Sequence, residues 1–156
     1  MKFLKTALLS AVAVASLQAV ADPITHTISL EAVVPSSNFF VLPKDNSWIS
    51  QTQVLSYSVY TGDLSTLTKQ FDVRHTAGAI SGKLLSSAAL TSATDSIPLT
   101  VKFNNITLST SDATVVSAAA AATTSTVNLE ISAQRNGDYA PGNYSGNVQL
   151  SFDAVI

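Results

Sequence analysis

The chain of 156 residues contains no cysteine, one methionine and one tryptophan, and only 12% of its residues are charged. Without cysteine there is no disulfide, no thiol nucleophile and no thiolate metal site. Small exported domains commonly rely on disulfides to supplement a limited core, so this one must find its stability elsewhere. Basic clusters are also absent, which argues against nucleic acid or an anionic membrane surface as partner. His-Glu-x-x-His, Gly-x-Ser-x-Gly and a glycine-rich phosphate loop are all missing, and Ser145 has no candidate base near it in sequence. His75 has no second histidine at ligand spacing, which excludes a simple metal motif. These gaps predict a chain that is not an enzyme and carries no cofactor.

The longest apolar run lies at the start. Met1 to Ala21 has Lys2 and Lys5, an apolar stretch from Ala7 to Leu17, and the small-x-small ending Ala19-Val20-Ala21. This is the three-part pattern of a secretory signal cleaved after Ala21, and the apolar stretch is shorter than the ~18 to 20 residues a membrane span needs. Cleavage would leave 135 residues, enough for one domain with a sizeable core. Without Lys2 and Lys5, six basic side chains face ten acidic ones, a net charge of about −4.

Ser, Thr, Val and Ala dominate what remains, a composition suited to β-structure. The first strand follows the signal directly. In DPITHTISLEAVVP, residues Ile24, His26, Ile28, Leu30, Ala32 and Val34 fall on one face and Thr25, Thr27, Ser29 and Glu31 on the other. Alternation of this kind marks a strand with one face meant for burial. An apolar strand at a chain end is an association hazard unless something takes it. Pro35 ends the strand, and a Val34-Pro35 isomer switch is a second reading. His26 is a tolerated near-edge residue, not a metal ligand.

Further strands are expected at Phe39 to Leu42, Gln53 to Tyr60, Lys69 to His75, Ile97 to Phe103, Ile106 to Leu108 and Thr126 to Ala133, with Asn104-Asn105 as a tight turn. Leu84 to Leu90 and Thr114 to Ala122 are ambiguous. In the second, the AAAAA run favours helix while its β-branched flanks favour strand. The last segment is as clear as the first: Tyr144, Gly146, Val148, Leu150, Phe152, Ala154 and Ile156 share one face of a strand from Tyr144 to Ile156. Tyr144 is expected as a core and edge anchor. Gly146 has two readings, space for an inserted side chain or a close backbone approach. Seven or more short strands separated by turn signals predict an all-β, immunoglobulin-like sandwich.

The tail APGNYSGNVQLSFDAVI resembles the end of fimbrial subunits secreted by the chaperone and usher route, where a Gly-x-Tyr-Ser/Thr-Gly element opens the final strand. THTISLEAVVP, the phrase LEISAQ and the lack of cysteine are similar to major pilins of the alternate chaperone pathway, the class 5 group of colonisation-factor and cable-type pili. That resemblance implies an incomplete sandwich completed by a donated strand: residues 1–21 as signal peptide, 22–35 as donor extension and 36–156 as pilin domain. It further implies a homopolymer of identical subunits, a periplasmic chaperone, an outer-membrane usher, a tip adhesin, and a surface fimbrium that supports adhesion. The donor face would be Ile24 to Val34, and the groove would involve the strand from Tyr144 to Ile156. Two alternatives stand beside it: a minor or adhesive subunit contacting a host receptor, and a monomeric periplasmic β-sandwich that binds a ligand.

Overall fold

The computed structural model describes residues 38–156. In chain order these form β1 (Phe39–Pro43), β2 (Tyr57–Ser58), β3 (Asp63–Leu64), β4 (Leu67–His75), β5 (Ala79–Leu84), β6 (Ala89–Thr91), β7 (Ser96–Phe103), β8 (Ile106–Thr107), β9 (Ala113–Val116), α1 (Ala118–Ala121), β10 (Ser125–Ala133) and β11 (Leu150–Val155). One sheet has the order β1-β4-β10-β7-β6, with β8 paired to β7, and a three-stranded sheet has the order β11-β5-β9. Every pairing is antiparallel.

Alternation builds the large sheet. Phe71, Val73 and His75 of β4, Ile97, Leu99, Val101 and Phe103 of β7, and Val127, Leu129 and Ile131 of β10 are all buried, while their neighbours along each strand are less so. Across from them, β5 and β9 contribute Ile80, Leu84, Val115 and Val116 to the same cluster. The core therefore lies between the two sheets. Phe103 is its centre, fully buried, with ring centroids 5.5 Å from Phe71 and 4.5 Å from Phe152 of β11. Edge-to-face and tilted pairs of this kind add stabilisation beyond the area they bury.

The expected turn at Asn104-Asn105 is present. Both residues have positive φ, 50° and 64°, and Phe103 pairs with Ile106 across them, the two-residue hairpin geometry that asparagine tolerates. Asn104 Nδ2 also donates to the Val115 carbonyl at 2.7 Å, tying this hairpin to β9. The ambiguous stretch from Thr114 to Ala122 divides in two. Its β-branched part is β9, and Ser117 then caps a four-residue helix by accepting from the Ala120 amide. An N-cap serine satisfies an amide that the helix itself cannot.

Two expectations need correction, and one strand was not expected at all. Gln53 to Tyr60 is not a strand throughout: only Tyr57 and Ser58 pair, with Leu64 and Asp63, and Val54, Val59 and Tyr60 remain exposed. Of the face carrying Leu55, Tyr57 and Val59, only Leu55 packs against the core. Ala79–Leu84, which carries no clear sequence signal, is the central strand of the smaller sheet. The expected final strand, Tyr144 to Ile156, is also shorter than its pattern.

Candidate functional site

Two strands end the sheets on the sides that matter here. β1 is an edge of the large sheet and β11 an edge of the small one. β11 pairs with β5 in the register Leu150↔Leu84, Phe152↔Gly82, Ala154↔Ile80, and among the described residues β5 is its one strand neighbour. Residues directly opposite each other in an antiparallel pair point to the same side. Leu150, Phe152 and Ala154 thus share the inward face with Leu84, Gly82 and Ile80.

That shared face is sealed on one strand and not on the other. Ile80, Gly82 and Leu84 are buried, whereas Leu150 and Phe152 are half-buried and Ala154 is exposed. Ile156 is fully exposed. Val148, Leu150 and Phe152 nonetheless pack on the core cluster, as do Phe39 and Val41 of β1. The hydrophobic layer continues out to both strands, and on β11 no further strand among the described residues covers it. A sheet edge with apolar side chains and unpaired backbone groups is a template for another strand.

The expected strand from Tyr144 to Ile156 is interrupted, and Gly146 shows why. Ser145 pairs with Thr91 of β6: the Thr91 amide donates to the Ser145 carbonyl at 2.8 Å and the Ser145 amide to the Thr91 carbonyl at 3.0 Å. At Gly146 a Cβ would collide with the Ala89 carbonyl oxygen. The chain passes so close to β6 that only glycine fits, which is the close-approach reading of this residue. It then leaves the large sheet and joins β5 from Leu150 onward. Regular pairing is thereby confined to Leu150–Val155.

Tyr144 is half-buried, and its hydroxyl donates to the Ala140 carbonyl at 2.9 Å. Gly82 is a residue that sequence reasoning missed. A Cβ there would lie 3.0 Å from the Phe152 ring, so its lack of a side chain lets Phe152 lie across β5 toward Phe103. The one available signal was a glycine inside an otherwise strand-like AISGKL. His75 is buried, its Nδ1 donating to the Ala79 carbonyl at 2.8 Å and its ring edge-on to Phe39. It is a packed core residue. Ile24, His26, Ile28, Leu30, Ala32, Val34 and Pro35 lie outside the described residues.

A separate cavity of about 600 Å³ lies where Tyr144, Ser145 and Gly146 pass the β2–β3 hairpin. Its walls include Gln53, Tyr57, Ile97, Tyr139, Asn143 and Tyr144, and the Tyr57 and Tyr139 rings meet edge-on at 6.4 Å. Arg135 ties the hairpin to the loop bearing Tyr139. Its Nη1 donates to the Thr61 carbonyl at 2.8 Å and pairs with Asp63 at 3.0 Å, while Nη2 pairs with Asp138 at 3.1 Å. Those two carboxylates raise the Arg135 pKa above its ordinary value.

A family model described as CS1 type fimbrial major subunit matches residues 24–153. Among solved structures, the chain resembles the CooA pilin subunit from enterotoxigenic Escherichia coli, with a TM-score of 0.63 and 22% identity over 74% of this chain and 86% of that one. No curated protein matches.

Proposed function

The chain belongs to the CS1 type fimbrial major subunit family, and from that membership we propose that it polymerises by strand donation, the N-terminal segment of one copy completing the sandwich of the next. The chain is a structural subunit of a pilus, and its family is not one of enzymes. The observation that carries the proposal is the uneven sealing of β11. Leu150 and Phe152 are half-buried and Ala154 exposed, although the strand beside them is fully buried on the same face. A further strand laid along β11 would cover these side chains and pair the free edge.

Residues 24–34 have the pattern such a strand needs. Main-chain hydrogen bonds would supply pairing that any sequence offers, while Ile24, His26, Ile28, Leu30, Ala32 and Val34 would set the register on the apolar side. Strand addition of this kind between pilins and their chaperones is a known recognition mode. Head-to-tail donation is a heterologous contact that does not close on itself, and so yields a filament. In this reading residues 1–21 direct export and are removed. A periplasmic chaperone occupies the edge before assembly, an outer-membrane usher orders the exchange, and the finished fimbrium, ending in a tip adhesin, supports adhesion at the cell surface. Pro35 closes the donor strand.

The test is assembly. Deleting residues 22–34 should leave a subunit that still binds its chaperone but adds nothing to a fibre, as seen by electron microscopy and by sedimentation of sheared pili. Leu30→Asp should block polymerisation far more than Ser29→Asp, which the sequence alternation assigns to the opposite face. Normal fibres from the deletion, or equal effects of the two substitutions, would overturn the proposal.

A further inference from the structure

The cavity beside the β2–β3 hairpin is lined in part by Leu55, Leu64, Leu90 and Ile97, of which Leu55 and Leu90 pack on the core. Among the described residues that line it, none carries a charge, yet polar and aromatic groups recur: Gln53, Tyr57, Tyr139, Asn143 and Tyr144. Its volume, about 600 Å³, falls within the usual range for small-ligand sites. Tyr57 is 55% exposed and Tyr139 half-buried, so their rings are presented to solvent at the rim instead of being consumed by packing. The Tyr144 ring is fixed by its hydroxyl bond to the Ala140 carbonyl.

We propose that this cavity, walled by Tyr57, Tyr139 and Tyr144 with Gln53 and Asn143 at hand, binds an uncharged carbohydrate. The chemistry follows from the lining. An aromatic face carries partial negative charge and attracts the polarised C–H groups on the apolar face of a pyranose ring. Amide side chains both donate and accept, which suits vicinal hydroxyls. The Gln53 amide nitrogen already donates to the Trp48 and Gln51 carbonyls, each at 3.1 Å, which orients its oxygen as the acceptor. Without a cation in the wall, an acidic sugar or a phosphate gains nothing there, and without a carboxylate neither does an amine. Arg135 is a positioning residue for the site: held by Asp63, Asp138 and the Thr61 carbonyl, it fixes the hairpin that carries Tyr57 against the loop that carries Tyr139.

Tyr144, Ser145 and Gly146 line the cavity but no residue of β11 does, so its occupant and the strand proposed along β11 are tested separately. Wild-type fibres of the full mature chain would be mixed with a panel of methyl glycosides, neutral hexosides and N-acetylhexosaminides together with glucuronides, and saturation transfer from fibre to sugar recorded. Transfer to one or more neutral glycosides is expected, with none to the glucuronides. Tyr57→Ala and Tyr139→Ala should each weaken binding by about three- to tenfold, the worth of one aromatic contact. Tyr60→Ala, at the hairpin tip outside the lining, should leave it unchanged. Arg135→Ala should weaken binding without altering which glycoside is preferred. No transfer to any neutral glycoside would overturn the proposal, as it would if a neighbouring copy's peptide filled the cavity. Equal transfer to the glucuronides, or binding indifferent to both rim tyrosines, would overturn it too.

Discussion

Strands β4, β7 and β10 and the terminal strands β1 and β11 are made of the same kinds of residue, yet they end in different states. In the middle of the large sheet most inward side chains are buried, from Phe71 and Val73 through Val101 and Phe103 to Leu129 and Ile131, with Leu67 and Ala133 half-buried at the strand ends. At the chain ends the same alternation places Phe39, Val41, Leu150 and Phe152 against the core but leaves them half-buried, and Ala154 and Ile156 exposed. Composition is not the cause, since an aliphatic face is present in each. What differs is the number of neighbours: a central strand is paired on both sides, whereas β11 has β5 alone among the described residues. The hydrophobic layer thus extends further than the sheets that cover it, and that surplus is what a polymer can use.

The sharpest way to break this contrast is a pair of ring deletions. Phe103→Ala, at the fully buried centre, should cost about 3 to 5 kcal/mol in the unpolymerised subunit. Phe152→Ala, which removes the half-buried partner 4.5 Å away, should cost about 1 to 2 kcal/mol there, and more once the subunit is in a fibre. Thermal unfolding of the subunit, set beside heat-induced disassembly of fibres, measures both. Equal losses in the isolated subunit would mean that the edge is already as sealed as the centre.

A smaller effect is expected at the crossing between the sheets. Gly146→Ala places a methyl against the Ala89 carbonyl oxygen and near the Leu90 Cα. Both are backbone, so neither yields by a change of rotamer, and a cost of about 1 to 3 kcal/mol is expected. In an amide-exchange experiment the bonds between Thr91 and Ser145 should lose protection first, before those of β11. Loss at β11 alone would place the role of this glycine in the edge strand instead.

The smallest effect lies in the loop after β1, outside both regions. The Asp45 carboxylate accepts from the Ser47 amide at 2.8 Å and from the Ser47 hydroxyl at 2.9 Å, and these bonds hold its pKa below the ordinary aspartate value. A carboxyl lowered on folding adds stability that is full above its unfolded pKa and is lost as pH falls through the lowered folded value. The Ser47 amide resonance should therefore titrate below the usual aspartate range. Fibre assembly should be indifferent to Asp45→Asn. A drop in assembly would bring this loop into the subunit contact.

The contrast between centre and ends also governs how much was legible in the sequence. β4, β7 and β10 could be placed because their alternation was set by burial on one face, and the Asn104-Asn105 turn because positive φ leaves its mark on residue choice. β5 was not visible, since its central Gly82 answers to the Phe152 ring across the strand and not to any local preference. Gln53 to Tyr60 misled for the opposite reason: the period was present, but only Leu55 of its apolar face packs on the core, while Tyr57 and Val59 stay exposed. In the final strand the period ran unbroken through Gly146, but the Ala89 carbonyl that forces glycine there belongs to a strand more than fifty residues earlier. The aromatic cavity had no sequence signature, because Tyr57, Tyr139 and Tyr144 meet only after the hairpin and the later loop are clasped by Arg135.

The most direct measurement is the melting of a domain lacking residues 1–35, with and without a synthetic peptide of residues 22–35. If the edge of β11 is the place for this segment, the peptide should raise the melting temperature by about 10 °C or more, and a peptide carrying Leu30→Asp should fail to do so. No rise with the unaltered peptide, or an equal rise with the altered one, would contradict the account.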